Sequence, residues 1–205
     1  MSRNISQPIV TVNFPAIPIE GHHPKTWVTA LDWKPDSAAQ ICSKRISAMA
    51  YKIMILGASY GSLLGTKMAA AGHDVTLVCR EKTAALINAK GTEVRIKLRG
   101  EDTHRSFFSH SLGGRTNAVT PEQAQPQNYD LVCLAMQEPQ YSHPSLTDLL
   151  SRIANTKVAC MSIMNMPPLP YLKRISSLDC NQLTAAFLNP AIWDEFDPSL
   201  MTLCS

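Results

Sequence analysis

The run Tyr51-Lys-Ile-Met-Ile-Leu-Gly-Ala-Ser-Tyr-Gly-Ser-Leu-Leu-Gly65 leaves this chain few choices. Ile53 to Leu56 is an unbroken apolar stretch of strand length, the pattern of a strand covered on both faces. Gly57 ends it. Apolar residues then follow a helical pattern through Leu63, Leu64, Met68 and Ala71, and Gly72 supplies a C-terminal stop. Asp74-Val-Thr-Leu-Val-Cys79 is a second short strand, ending at Arg80. Strand, glycine turn, helix and strand make one βαβ unit. Glycines between the first strand and the helix let backbone N–H groups approach a pyrophosphate at the positive end of the helix. Residues 51–80 therefore read as a dinucleotide-binding unit, with Gly57, Ala58, Ser59, Tyr60 and Gly61 as its candidate phosphate-binding turn.

The glycine spacing is G-x-x-x-G-x-x-x-G, not the usual G-x-G-x-x-G. Ser59 stands where a second glycine is expected, which suits a turn one residue shorter. A tight turn with close helix–strand packing would explain the same glycines. In this strand–turn–helix context the ligand reading is preferred for Gly57 and Gly61, while the two readings stand level at Gly65. The end of the second strand bears on cofactor choice. An NAD site places Asp or Glu there to hold the ribose hydroxyls. This chain has Arg80, with Lys82 close by. A guanidinium pairs with a phosphate through two hydrogen bonds and an ammonium adds a point charge, so the pair favours NADP. A solvated strand end is the alternative for both, and Glu81 can serve the N-terminus of the next helix.

At 45% hydrophobic and 17% charged residues, the 205-residue chain suits one soluble domain with appendages. A net charge of +3 without a basic block gives no case for nucleic acid. None of the six cysteines forms C-x-x-C, so no zinc site is expected. Cys79, Cys133 and Cys160 fall in expected buried strands, where a thiol acts as a small hydrophobe. That usage, with no secretory signal and no apolar run of membrane-spanning length, points to the cytoplasm.

Residues 1–48 are punctuated by Pro8, Pro15, Pro18, Pro24 and Pro35. Ile9 to Phe14 has strand character, but nothing nearby offers it a partner. The segment is expected to be a disordered N-terminal extension, with Met49 a plausible start. His22-His23 lacks further ligands at fixed spacing and reads as exposed loop. Beyond the βαβ unit, Glu81 to Ala89 is a short helix closed by Gly91. Thr92 to Leu98 alternates strictly and returns over Thr103 to Ser109 as a hairpin. Gly113-Gly114 and Pro121 to Asn128 are loops. Tyr129 to Ala135 and Lys157 to Met164 are two more buried strands, ending at Met136-Gln137 and at Asn165. Ser145 to Ala154 between them is an amphipathic helix, with Ser142 or Ser145 as candidate cap. Residues 176–205 hold Phe187, Trp193 and Phe196 without a clear period, and read as a truncated linker in which Leu188, Ile192 and Trp193 are exposed.

From about Tyr51 to Ile175 the order of these parts resembles the N-terminal half of the ketopantoate reductase (2-dehydropantoate 2-reductase) family. The resemblance is carried by Ile55-Leu-Gly-Ala-Ser-Tyr-Gly-Ser-Leu-Leu-Gly65, the Arg80 strand end, the hairpin, Asp130-Leu-Val-Cys-Leu-Ala-Met-Gln137 with Gln140, and the strand ending in Asn165. It implies a Rossmann-like doubly wound parallel sheet over residues 49–175 with a β-hairpin insertion, and a C-terminal helical domain missing after residue 205. It implies NADP binding through Gly57, Gly61 and Arg80, with Gln137 and Asn165 near nicotinamide and substrate, and reduction of a small keto acid by hydride transfer.

Three departures from the family pattern stand out. Gln137 replaces a lysine, and Met166-Pro-Pro168 follows Asn165 where glycine is usual. The family's catalytic lysine belongs to the helical domain, so no catalytic residue is named in this chain. The chain alone is expected to bind cofactor without turnover, the parent to take a substrate other than ketopantoate. The competing expectation is a non-enzymatic NADP(H)-binding or sensor module.

Overall fold

The apolar runs of the βαβ unit lie in the middle of a six-stranded parallel sheet. The computed structural model describes residues 11–13, 50–97 and 101–204. In chain order the strands are β1 (Thr11–Asn13), β2 (Lys52–Leu56), β3 (Asp74–Val78), β4 (Glu93–Lys97), β5 (His104–Phe108), β6 (Thr116–Val119), β7 (Leu131–Leu134), β8 (Ala159–Ser162) and β9 (Met201–Leu203). The longer helices are α1 (Ser59–Ala70), α2 (Glu81–Lys90) and α3 (Pro144–Thr156). Two single turns follow, α4 (Leu169–Leu172) and α5 (Cys180–Leu183). No helix among the described residues is long and apolar enough to cross a membrane.

The large sheet runs β6-β3-β2-β7-β8-β9, every pair parallel. Alternate side chains of the central strands feed two separate cores. Ile53, Ile55, Val75, Leu77 and Cys133 pack with α1 and α2 residues such as Ala69, Ala84 and Ile87. Met54, Leu56, Val132 and Leu134 pack on the other face with Leu149, Leu150 and Ile153 of α3. This is the doubly wound arrangement expected from the sequence. Burial pushes the Cys133 and Cys160 thiols up to about 12, which keeps them as neutral apolar groups.

The expected hairpin forms as the antiparallel pair β4–β5. Three expectations need correction here. Thr11–Asn13 does find a partner, pairing parallel with Glu93 to Arg95, because β4 has a second edge that β5 leaves open. The rest of the expected extension, residues 1–10 and 14–48, lies outside the described residues, as do His22-His23 and residues 98–100. The cap of α3 is His143 rather than Ser142 or Ser145: Pro144 takes the first helical position, and His143 is extended, with Nδ1 3.0 Å from Ser145 Oγ.

The third correction concerns residues 176–204. Ile192 and Trp193 are buried, not exposed, and the packed unit runs past residue 175. Trp193 meets Tyr141 edge-on at 5.4 Å and Phe196 at 5.6 Å, and with Phe187 and Met201 completes the α3-side core. Met201–Leu203 then adds the sixth strand beside β8. Leu188 remains 67% exposed, as expected.

Both outer edges of the large sheet are engaged by side chains. On β6, Asn88 donates from Nδ2 to the Ala118 carbonyl at 2.8 Å and accepts from the Ala118 N–H at 2.8 Å. On β9, Arg174 donates to the Met201 carbonyl at 2.7 Å. An amide that reproduces a strand's own hydrogen bonds closes an edge that would otherwise invite pairing.

Candidate functional site

All six strands point the same way, so their C-terminal ends share one edge of the sheet. The connection from β2 goes to β3 on one side, while β7 lies on the other, which opens a crevice between them. Ligands of open α/β sheets sit at such a switch point. Four segments meet at this edge: Gly57 after β2, Arg80 after β3, Met136-Gln137 after β7 and Asn165 after β8.

The glycine turn is short. Only Gly57 and Ala58 separate β2 from α1. Gly57 has φ +102°, and its N–H donates to the Val78 carbonyl at 2.9 Å, which ties the turn to the end of β3. A methyl group on Gly57 would lie 2.5 Å from Met136 Cγ and 2.9 Å from the Ala135 carbonyl oxygen. One on Gly61 would lie 2.8 Å from Ile55 Cγ2, and one on Gly65 3.1 Å from Val75 Cγ1. The bare sides of these glycines thus face protein, and backbone shape with close packing accounts for them. What the turn offers a ligand is the first turn of α1, with Ser59 and Tyr60 exposed and Ala58 buried behind them. N–H groups of a first helical turn lack intrahelical partners and favour anions.

Arg80 caps α2 in an extended conformation, its carbonyl accepting from Thr83 and Ala84 N–H at 2.9 Å. Its side chain is exposed, as is that of Lys82, and neither enters an ion pair among the described residues. The Gly57–Val78 bond places this strand end beside the glycine turn.

Gln137 and Asn165 are exposed at the ends of their strands. The loops that carry them are held by Gln140, already noted in the sequence, and by groups that sequence reasoning did not single out. The Gln137 N–H donates to Gln140 Oε1 at 2.8 Å. The Met136 N–H donates to the hydroxyl of Tyr141 at 3.2 Å. Glu138, buried beside them, accepts from Leu188 N–H at 3.1 Å. Near Asn165, the buried Ser162 Oγ accepts from Met164 N–H at 3.2 Å, and Ile163 N–H donates to the Leu134 carbonyl at 3.0 Å. Only the spacing Gln137-x-x-Gln140, a possible turn signature, could have hinted at any of these.

Residues 53–165, more than half of the chain, match the family model for ketopantoate reductase PanE/ApbA. The chain belongs to the ketopantoate reductase family. Among solved structures, a protein of Ralstonia solanacearum MolK2 named as a candidate ketopantoate reductase is similar over 77% of this chain and 46% of its own, at 19% identity and a TM-score of 0.53. This family member therefore spans less than half the length of that structure, and the likeness bears on fold alone. Aspartate semialdehyde dehydrogenase II of Vibrio cholerae (11% identity, 76% and 38% coverage, TM-score 0.40) and saccharopine dehydrogenase of Saccharomyces cerevisiae (17%, 58% and 23%, 0.35) are too distant to bear on function. No curated protein matches the chain.

Proposed function

We propose that this chain is the NADP(H)-binding part of an oxidoreductase that reduces a small keto acid. The observation that carries the reading is the meeting, at one sheet edge, of the glycine turn with an exposed arginine at the end of β3. Gly57 to Gly61 and the first turn of α1 would take the pyrophosphate, and Arg80 with Lys82 the 2′-phosphate. Gln137 and Asn165 lie on the substrate side of the crevice, where a carboxamide can hydrogen-bond nicotinamide or a keto acid oxygen. When bound, NADPH would supply a hydride. The chain's own part is to orient that ring through the two loop ends and to hold the carbonyl close to it.

A second reading, a binding module without catalysis, draws on Gln137. Where the family pattern has lysine, this chain has an amide, which carries no charge to stabilise a developing alkoxide. The test of the cofactor reading is the affinity of NADPH and NADH for the wild-type chain and for Arg80→Ala. Loss of one charge-assisted contact should cost NADPH on the order of 1.5–3 kcal/mol and leave NADH nearly unchanged. Equal losses would assign Arg80 to the fold or the shared pyrophosphate instead. NADPH consumption with a panel of keto acids then separates enzyme from module.

A further inference from the structure

We propose that Tyr141 is a positioning residue of the dinucleotide site, holding the loop after β7 against the glycine turn through the Met136 peptide. The inference rests on the cofactor reading above and adds to it a residue that no contact with ligand would reveal. Tyr141 is fully buried in the α3-side core, edge-on to Trp193. Its ring is packing, but its hydroxyl serves a peptide at the crevice edge: it accepts from Met136 N–H at 3.2 Å. Met136 in turn is the residue on which the bare side of Gly57 closes, with its Cγ occupying the space a methyl group on Gly57 would need. The chain of contact therefore runs from a core phenol to a peptide, from that residue to the positive-φ glycine, and from the glycine to the first turn of α1.

The remaining clamps on this loop do not duplicate the phenol. Gln140 holds Gln137 from the solvent side, and Glu138 ties the loop to Leu188. The Met136 N–H faces inward, where water cannot readily replace a lost partner, so a phenol without its oxygen leaves that donor unpaired. Burial also keeps the phenol neutral by pushing its ionisation above the ordinary tyrosine range, against the smaller opposing effect of the Met136 bond. The hydroxyl is thus a fixed acceptor over the pH range in which the protein would be assayed.

Tyr141→Phe removes one oxygen and keeps the ring against Trp193. In the 205-residue chain, this variant should weaken NADPH binding by about three- to tenfold, as expected for one lost hydrogen bond, and lower the unfolding temperature in the absence of cofactor by roughly a few degrees, as the unpaired Met136 donor requires. Amide hydrogen exchange over residues 136–140 should quicken while that of β2 and β3 does not. In a Gln137→Ala background the same substitution should cost less, because both changes act on one loop. Faster exchange with unchanged NADPH affinity would overturn the proposal, as would an undiminished cost in the Gln137→Ala background. A wild-type chain that binds no dinucleotide would overturn the cofactor reading and the proposal together; a wild-type chain that binds while Tyr141→Phe binds equally well would overturn the proposal alone.

Discussion

Asn88→Ala should destabilise the chain measurably although Asn88 lies on α2, far from the crevice. The side chain makes two hydrogen bonds of 2.8 Å to the same residue of β6, one to the Ala118 carbonyl and one from its N–H. Ala118 is 3% exposed, so water cannot freely restore either bond. Each bond contributes about 0.5–1.5 kcal/mol net, for a gross loss of about 1–3 kcal/mol. Alanine returns up to about 0.7 kcal/mol of helix propensity in α2. The net expectation is about 0.3–2.3 kcal/mol, or a fall in unfolding temperature of roughly 1–9 °C for a chain of this size. Asn88→Asp should cost more, since a carboxylate accepts from the Ala118 N–H but faces its carbonyl with no donor. Urea titrations at two protein concentrations measure both consequences. The midpoint should fall at constant slope, and the opened β6 edge should make the transition depend on concentration. An unchanged midpoint for Asn88→Ala would refute the reasoning, because it would mean these two bonds add nothing over solvated β6.

Gly57→Ala should destabilise by at least about 1–2 kcal/mol, since its backbone is at positive φ and the added methyl meets Met136 and Ala135; chemical denaturation checks it. Trp193→Ala should cost about 3–5 kcal/mol by emptying the centre of the α3-side core, again read by denaturation. The Arg115 guanidinium beside Asp74 holds that carboxyl below its ordinary range. A depressed folded value means the pair stabilises the fold above the unfolded carboxylate range, and the contribution fades as pH falls through the folded value. The gap in unfolding temperature between wild type and Arg115→Ala should therefore be small, largest near neutrality, and closed in strong acid. A gap that widens on acidification would contradict the pairing.

The βαβ unit was legible because each of its signals is local. Ile53 to Leu56 needs no partner to read as a buried strand, and Gly57 and Gly72 stop the elements on either side. The strands after it, at 131–134 and 159–162, fell within the expected runs for the same reason. Thr116–Val119 was not legible as a strand. Half of it is polar, and its edge is completed by Asn88, 30 residues away. Met201–Leu203 is three residues long and follows 3-10 turns, which carry no amphipathic period over Phe187, Trp193 and Phe196. At the sheet edge, the positions of Gly57, Arg80 and Asn165 could be read from the strands they follow. Glu138, Tyr141 and Ser162 could not be, because each serves a backbone amide, and amides leave no mark on the sequence.

The bond between Glu138 and Leu188 spans 50 positions and joins the crevice loop to the last crossover. Its consequence falls on evolution by recombination. A crossover or gene fusion placed where the composition changes, near residue 175, would sever Trp193, Phe196 and Met201 from their core and leave a buried carboxylate without its amide. The segment that looks most like a detachable joint is inherited with the sheet or not at all. Shuffled relatives should instead keep the whole large sheet, from β2 to β9, as one block.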